Sequence, residues 1–162
     1  MEAFLALGSN VGNRLKNLKT ALTHIKKLIN TKVLNISKVY ETKPFDVLDK
    51  QEYYLNCCVK LQTEFSPEVL LGCLLGIEAA MGRTRPFYHA ARIIDIDLLL
   101  YENIKVNTKD LILPHPEILK RAFVMVPLFD IYNEEYNFKF IDKLKITDKA
   151  GVNVFGEGIN LE

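Results

Sequence analysis

The segment Ile93-Ile94-Asp95-Ile96-Asp97-Leu98-Leu99-Leu100 sets two carboxylates into an otherwise apolar run. Side chains alternate along an extended strand, so Asp95 and Asp97 share one face, their Cα atoms roughly 6.6 Å apart. Ile94, Ile96, Leu98 and Leu100 then take the other face. Like charges at that spacing repel, and partial burial raises the cost unless a cation lies between them. Mg²⁺ suits such a place, because it takes one or two carboxylates and completes its shell with substrate phosphates. A solvated acidic sheet face accounts for the same spacing, so the pair alone does not decide.

The residues just upstream bear on the choice. Arg83, Arg85 and Arg92 fall within ten residues, with Tyr88 and His89 between them. Arginine presents a planar fork of donors matched to phosphate oxygens. Beside a metal strand such a loop suggests phosphoryl transfer: carboxylates hold the metal, the metal binds phosphates, and guanidiniums stabilise developing negative charge. No G-x-x-x-x-G-K-[ST] segment occurs, which excludes a P-loop enzyme. A second group suits a flat heterocycle. Thr42-Lys43-Pro44-Phe45 ends one candidate strand and Tyr54-Leu55-Asn56 opens the next. Asn56 offers both a donor and an acceptor to an amide or amidine edge. Tyr54, Phe45 and Phe123 could stack on a ring, although each aromatic also suits a core. His115 sits between Pro114 and Pro116, which restrict its backbone.

These groups need elements to hold them. Residues 2–7 form a short apolar run that Gly8-Ser9-Asn10 stops. Leu15, Leu18, Leu22, Ile25 and Ile29 recur at steps of three and four, which predicts an amphipathic helix over 11–30. Val33–Glu41 reads as a strand. Leu55–Phe65 alternates, with Cys57, Val59, Leu61 and Thr63 on one face and Cys58, Lys60, Gln62 and Glu64 on the other. Ser66-Pro67-Glu68 is a helix start, and that helix should reach Met81 with Gly82 ending it. Ile93–Tyr101 reads as a strand, followed by short elements and a less regular end. The order β-α-β-β-α-β predicts an α+β fold: a ferredoxin-like core, an antiparallel sheet with helices packed on it, plus extra C-terminal elements. That arrangement serves many unrelated functions, so the site must carry the functional argument.

Composition sets the outer bounds. The 162 residues make one domain over 1–162, with 21 basic and 20 acidic residues and a net charge of +1. Such neutrality argues against gripping nucleic acid by bulk positive charge, and weakens a reading as an RNA-binding module. A regulatory domain that binds a small molecule without turnover also stays open. No run approaches the length of a membrane span, and the start lacks the features of a signal peptide. Cys57, Cys58 and Cys73 are odd in number and read as reduced structural residues of a cytoplasmic chain.

An ordered set of motifs narrows this further. LGSN near the start, ET-x-P at 41–44, YLN at 54–56, GR-x-R at 82–85, R-x-x-D-I-D at 92–97, and PH with R-x-F at 114–123 occur in that sequence. Over residues 3–130 the chain resembles the 6-hydroxymethyl-7,8-dihydropterin pyrophosphokinase family of folate biosynthesis. The resemblance implies transfer of pyrophosphate from ATP to the pterin hydroxymethyl group, with release of AMP. It implies that Asp95 and Asp97 hold two Mg²⁺ ions and that Arg83 and Arg92 assist transfer from a mobile loop, these four being catalytic. Thr42, Phe45, Tyr54, Asn56 and Phe123 match the pterin pocket. Leu71, Glu78, Arg85, Leu98, His115 and Arg121 match the ATP side. Two departures stand out: His89-Ala90-Ala91-Arg92 replaces the frequent W-G-P-R, and Asp110 stands where an arginine is often found. The implied partners are ATP and a reduced pterin, with no nucleic acid, no membrane, and a monomeric protein.

Overall fold

The computed structural model describes residues 1–44, 52–83, 91–132, 151–156 and 158–159. In chain order the elements are β1 (Glu2–Ser9), α1 (Arg14–Lys26), β2 (Thr31–Ile36), β3 (Tyr40–Thr42), β4 (Tyr54–Thr63) and α2 (Pro67–Ala80). They continue with β5 (Asp95–Tyr101), β6 (Val106–Asn107), β7 (Ile112–Leu113), a 3-10 turn at Ile118–Lys120, α3 (Ala122–Ile131) and β8 (Val152–Val154). The main sheet is antiparallel in the order β5-β1-β4-β3-β8, and β2 lies beside β3 on the same edge of β4. This is the α+β arrangement that the element order predicts.

Alternation along the strands sorts two apolar layers. Cys57, Val59 and Leu61 of β4, Leu5 and Leu7 of β1, and Ile96 and Leu98 of β5 pack beneath α1 and α2. The helices answer with Leu18, Leu22, Ile25, Leu70, Leu74 and Ile77. Each such side chain contributes about 1.5–3 kcal/mol when fully buried. Cys58, Phe4, Leu99 and Leu100 face the opposite way, against Val124, Met125, Leu128 and Ile131 of α3. The third helix therefore covers the second face of the sheet, where the sequence pattern indicated only short elements.

Local chemistry sets the boundaries. Asn13 caps α1 through its side chain, which accepts the Lys16 N–H at 3.0 Å. That helix ends at Lys26 rather than near residue 30, and Ile29 lies beyond it, 73% exposed. Ser66 caps α2, and Gly82 leaves it with φ +80°. The expected strand over 33–41 is two strands. Between them Ser37 pairs with Cys58 by accepting its N–H on Oγ at 2.8 Å and donating N–H to its carbonyl at 2.9 Å. The expected strand from Ile93 begins at Asp95. In β5 a register shift sets Leu98 opposite Leu5 but Leu100 opposite Phe4, so Leu99 is the extra residue of a bulge. The bulge turns Leu100 to the α3 face, not to the face of Ile94, Ile96 and Leu98. Among the described residues, no helix is long and apolar enough to cross a membrane.

Candidate active site

Strand register brings the chemistry-bearing residues together. Gly8 in β1 stands opposite Asn56 of β4 on one side and Asp95 of β5 on the other. Ala6 stands opposite Asp97, and Thr42 opposite Tyr54. Strands lie about 4.8 Å apart, so one row across three strands spans the amide and the first carboxylate in about 10 Å. The side chains of Tyr54, Asn56, Asp95 and Asp97 share the α3 face by parity. The N-terminal turn of α3 adds Phe123 and Val124, and Arg121 just before it completes a cavity of about 220 Å³. Thr42, Lys43, Tyr54, Asn56, Arg92, Asp95 and Asp97 line its other walls.

A glycine is needed where β1 passes this cavity. A Cβ on Gly8 would lie 3.0 Å from Asn56 Oδ1, so any larger residue crowds the amide. Asn56 is itself oriented by donating Nδ2–H to Thr42 Oγ1 at 2.8 Å. The Arg121 guanidinium lies 5.9 Å from the centroid of the Phe123 ring. A second cavity, of about 390 Å³, opens on the α2 side of the strand. Leu71 and Leu75 of α2, Ile96 and Leu98 of β5, Arg83, and the segment 109–112 with His115 and Pro116 form its walls. Asp97 lines both cavities. The two spaces therefore meet at the second carboxylate.

The charges around that junction are paired. Asp95 accepts from Arg92 Nη1 and from Arg83 Nη2, each at 2.6 Å, and Asp97 lies 3.8 Å from Arg121 Nη1. Glu78, near the end of α2, is only 3% exposed. One of its carboxylate oxygens accepts the Ile96 N–H at 2.6 Å, and the other pairs with Arg83 Nη1. Glu78 thus stands behind the strand, its hydrogen bond inserted between the two aspartates. Burial raises its pKa against the pull of Arg83. Burial also raises the pKa of Asp97, with the Asp95 charge adding to the effect and His115, Arg121 and Arg92 opposing it. The repulsion expected from the D-x-D spacing is therefore present. His115 is held by donating its backbone N–H to Leu99 O at 2.9 Å, and its Nδ1 accepts the Glu117 N–H at 3.2 Å. That acceptor role leaves Nε2 to carry the proton of the neutral ring. Burial lowers its pKa, against the pull of Asp97.

A hard dication fits the donor chemistry of Asp95 and Asp97, two neighbouring carboxylates on one face of the strand. Among the described residues no group of three or more His, Cys, Asp or Glu could hold a metal by itself. The pair therefore suits a cation whose remaining ligands come from a bound phosphate.

Of the residues singled out from sequence, Thr42, Tyr54, Asn56, Phe123, Arg92, Asp95, Asp97 and Arg121 surround the first cavity. Leu71, Leu98, Arg83 and His115 line the second, and Glu78 backs it. Phe45, Arg85 and the loop between Arg83 and Ala91 lie outside the described residues. Lys43, Leu75 and Lys109 also line the cavities without having been singled out. Leu75 was accessible to sequence reasoning, since it follows Leu71 by one helical turn on α2.

Comparison with known proteins addresses the same residues. The family model described as 7,8-dihydro-6-hydroxymethylpterin-pyrophosphokinase matches residues 4–133. The chain is 42% identical over 129 residues to the 2-amino-4-hydroxy-6-hydroxymethyldihydropteridine pyrophosphokinase of Methylorubrum extorquens, covering 80% of this chain and 81% of that one. It is 39% identical over 132 residues to the protein of the same name from Haemophilus influenzae, covering 82% of each. The match to the mitochondrial folate synthesis bifunctional protein of Pisum sativum is 43% identical over 133 residues and spans 25% of that longer protein. Among solved structures, Plasmodium falciparum HPPK-DHPS shares the fold with a TM-score of 0.60 at 19% identity, covering 90% of this chain and 44% of that one. With the family model spanning both cavities and the carboxylates between them, the chain belongs to the 7,8-dihydro-6-hydroxymethylpterin-pyrophosphokinase family.

Proposed function

We propose that the chain transfers the β,γ-diphosphate of ATP to the hydroxymethyl group of 6-hydroxymethyl-7,8-dihydropterin, yielding the pterin diphosphate and AMP for folate biosynthesis. The observation that carries this reading is the meeting of two cavities at Asp97 under three arginines. One cavity offers an amide and aromatic walls for a flat ring, and the other offers apolar walls and cations for a nucleotide. Asn56, held by Thr42, reads the polar edge of the pterin, while Tyr54 and Phe123 flank its ring; the family resemblance adds Phe45, outside the described residues. Leu71 and Leu98 supply apolar contact to the adenine, while His115 in the second cavity and Arg121 on the wall of the first address the phosphates and sugar; the family resemblance adds Arg85, outside the described residues.

The pterin hydroxyl oxygen forms a bond to the β-phosphorus, the bond from that phosphorus to the α,β-bridging oxygen breaks, and the hydroxyl proton passes to solvent. In-line displacement of this kind depends chiefly on positioning and charge neutralisation. Asp95 and Asp97 would hold two Mg²⁺ ions, which when bound neutralise phosphate charge and lower the pKa of the hydroxyl. Arg83 and Arg92, which pair with Asp95, supply guanidinium donors to the phosphate oxygens beside it, and Glu78 keeps Arg83 against the strand. The protein acts as a monomer in this reading, since one chain carries both cavities.

Incubation with ATP, Mg²⁺ and the pterin tests the assignment, with AMP as the expected product. ADP, or no turnover by folded protein, overturns it. Asp97→Ala should reduce turnover by about 10²–10³-fold, the scale of losing a charge-stabilising group at the reacting centre, with cooperative unfolding retained. Turnover within tenfold of the parent protein would remove the carboxylate pair from the mechanism.

A further inference from the structure

Asn10, 2% exposed, directly follows β1 and carries no role in the account above. Its backbone N–H donates to Arg92 O at 3.1 Å, and its Oδ1 accepts the Arg92 N–H at 2.7 Å. Both polar groups of the Arg92 backbone are therefore bracketed by one residue. The other end of the same side-chain amide donates Nδ2–H to Glu52 O at 3.5 Å. Glu52 lies two residues before Tyr54, which enters the first cavity. Arg14 secures that approach by donating to Tyr53 O at 2.7 Å while pairing with Glu41 at 2.7 Å. Asn10 is fixed in turn from α1, because Asn17 Nδ2 donates to Ser9 Oγ at 3.1 Å and to Val11 O at 2.8 Å on either side of it.

We propose that Asn10 is a positioning residue that ties the backbone of Arg92, on the phosphate side, to the backbone leading into Tyr54, on the pterin side. Occupancy of one substrate site then biases the other through a rigid amide. An amide is required, because one end must accept and the other must donate. This proposal rests on the two-site reading given above. Coupling between two sites is reciprocal and measurable as a ratio of affinities.

The experiment measures pterin affinity with and without an unreactive ATP analogue plus Mg²⁺, in the parent protein, Asn10→Ala and Asn10→Asp. The parent should bind pterin about 5–150-fold more tightly when the analogue is present. Asn10→Ala should bring that ratio below about 2, while each ligand alone binds within about 3-fold of the parent value, on the same scale of coupling. Asn10→Asp keeps the acceptor for Arg92 and loses the donor to Glu52, so it tests the bridge even where alanine prevents folding. It too should lose the coupling. A ratio unchanged in either folded variant overturns the proposal, as does a parent protein that releases AMP without any coupling. A parent that releases no AMP refutes the two-site reading instead.

Discussion

Adding one methyl group at Gly8 tests the pterin-side geometry most directly. The residue lies in β1 with a backbone that alanine also adopts, so the perturbation is confined to the side-chain position. The new Cβ would lie 3.0 Å from Asn56 Oδ1 and 3.7 Å from Tyr54 Cδ1. Ordinary contact begins at 3.4 Å, so the amide oxygen must retreat by about 0.4 Å. It cannot do so freely, because Nδ2 of the same amide is held by Thr42 at 2.8 Å. A displaced amide meets the heterocycle edge with two poorly aligned hydrogen bonds, each worth about 0.5–1.5 kcal/mol net. A total of about 1–2 kcal/mol corresponds to roughly a 5–30-fold weaker pterin Kd. Replacing glycine by alanine also restricts the unfolded chain by about 0.4–1 kcal/mol, which offsets local crowding, so stability should stay within about 1 kcal/mol. Calorimetric titration of Gly8→Ala with the pterin, at saturating ATP analogue, reads the effect. A Kd changed less than twofold would refute the assignment of Asn56 as the reader of the ring, and so would an equal loss for the ATP analogue.

Asp130 ties α3 to the sheet, since its Oδ2 accepts Tyr40 O–H at 2.8 Å and Lys38 N–H at 3.1 Å. Asp130→Ala should cost about 1–3 kcal/mol, seen as a lower urea midpoint, because partners of the lost carboxylate are left to find other acceptors. A midpoint equal to the parent value would show the tie to be dispensable. Stability should also decline on the alkaline side. Burial pushes the Cys57 thiol up to about 12 from its ordinary 9.0, and raises Cys58 in the same direction. Between those limits the unfolded thiol has released its proton and the folded one retains it. The folded state then binds more protons, and stability falls as pH rises, by up to about 1.4 kcal/mol per pH unit for each thiol. Urea midpoints from pH 8 to 11 should fall less steeply in Cys57→Val, and identical slopes would contradict the assignment.

Much of the sheet was legible because strand parity is a strict rule. The assignment of Cys57, Val59 and Leu61 to one layer and Cys58 to the other needs only a period of two. The same rule placed Asp95 beside Asp97 on one face, and both line the first cavity together with Arg92. Helix α3 escaped notice for a physical reason. Its segment AFVMVPLFDI is apolar on nearly every side and contains Pro127, so it offers no 3.6-residue contrast and carries a helix-breaking residue. The end of α1 was overextended because Ile29 continues the apolar spacing, yet the chain leaves the helix and Asn30 takes φ +52°. Asn10 and Glu78 were illegible as anchors. Asn10 meets Arg92 across 82 residues of chain, and Glu78 meets the Ile96 N–H across 18, so only tertiary structure makes those partners neighbours.

The bulge at Leu99 separates β5 into two halves that answer to different demands. Unbroken alternation would set Tyr101 on the same face as Asp95 and Asp97. The extra residue instead sends Tyr101 into the layer of α1 and α2, where its hydroxyl donates to the Phe65 carbonyl. Leu99 is thereby the one residue of β5 without its own partner on β1, and its side chain joins Leu100 in the α3 layer. Swapping it for another apolar residue perturbs packing alone. Deleting it would restore plain alternation, with Leu100 and Tyr101 each keeping its present layer, but would remove the carbonyl that accepts the His115 N–H. The bulge therefore couples the end of β5 to the His115 loop: the extra residue leaves the acidic pair and the tyrosine on their own faces while presenting the backbone carbonyl that anchors the histidine of the second cavity.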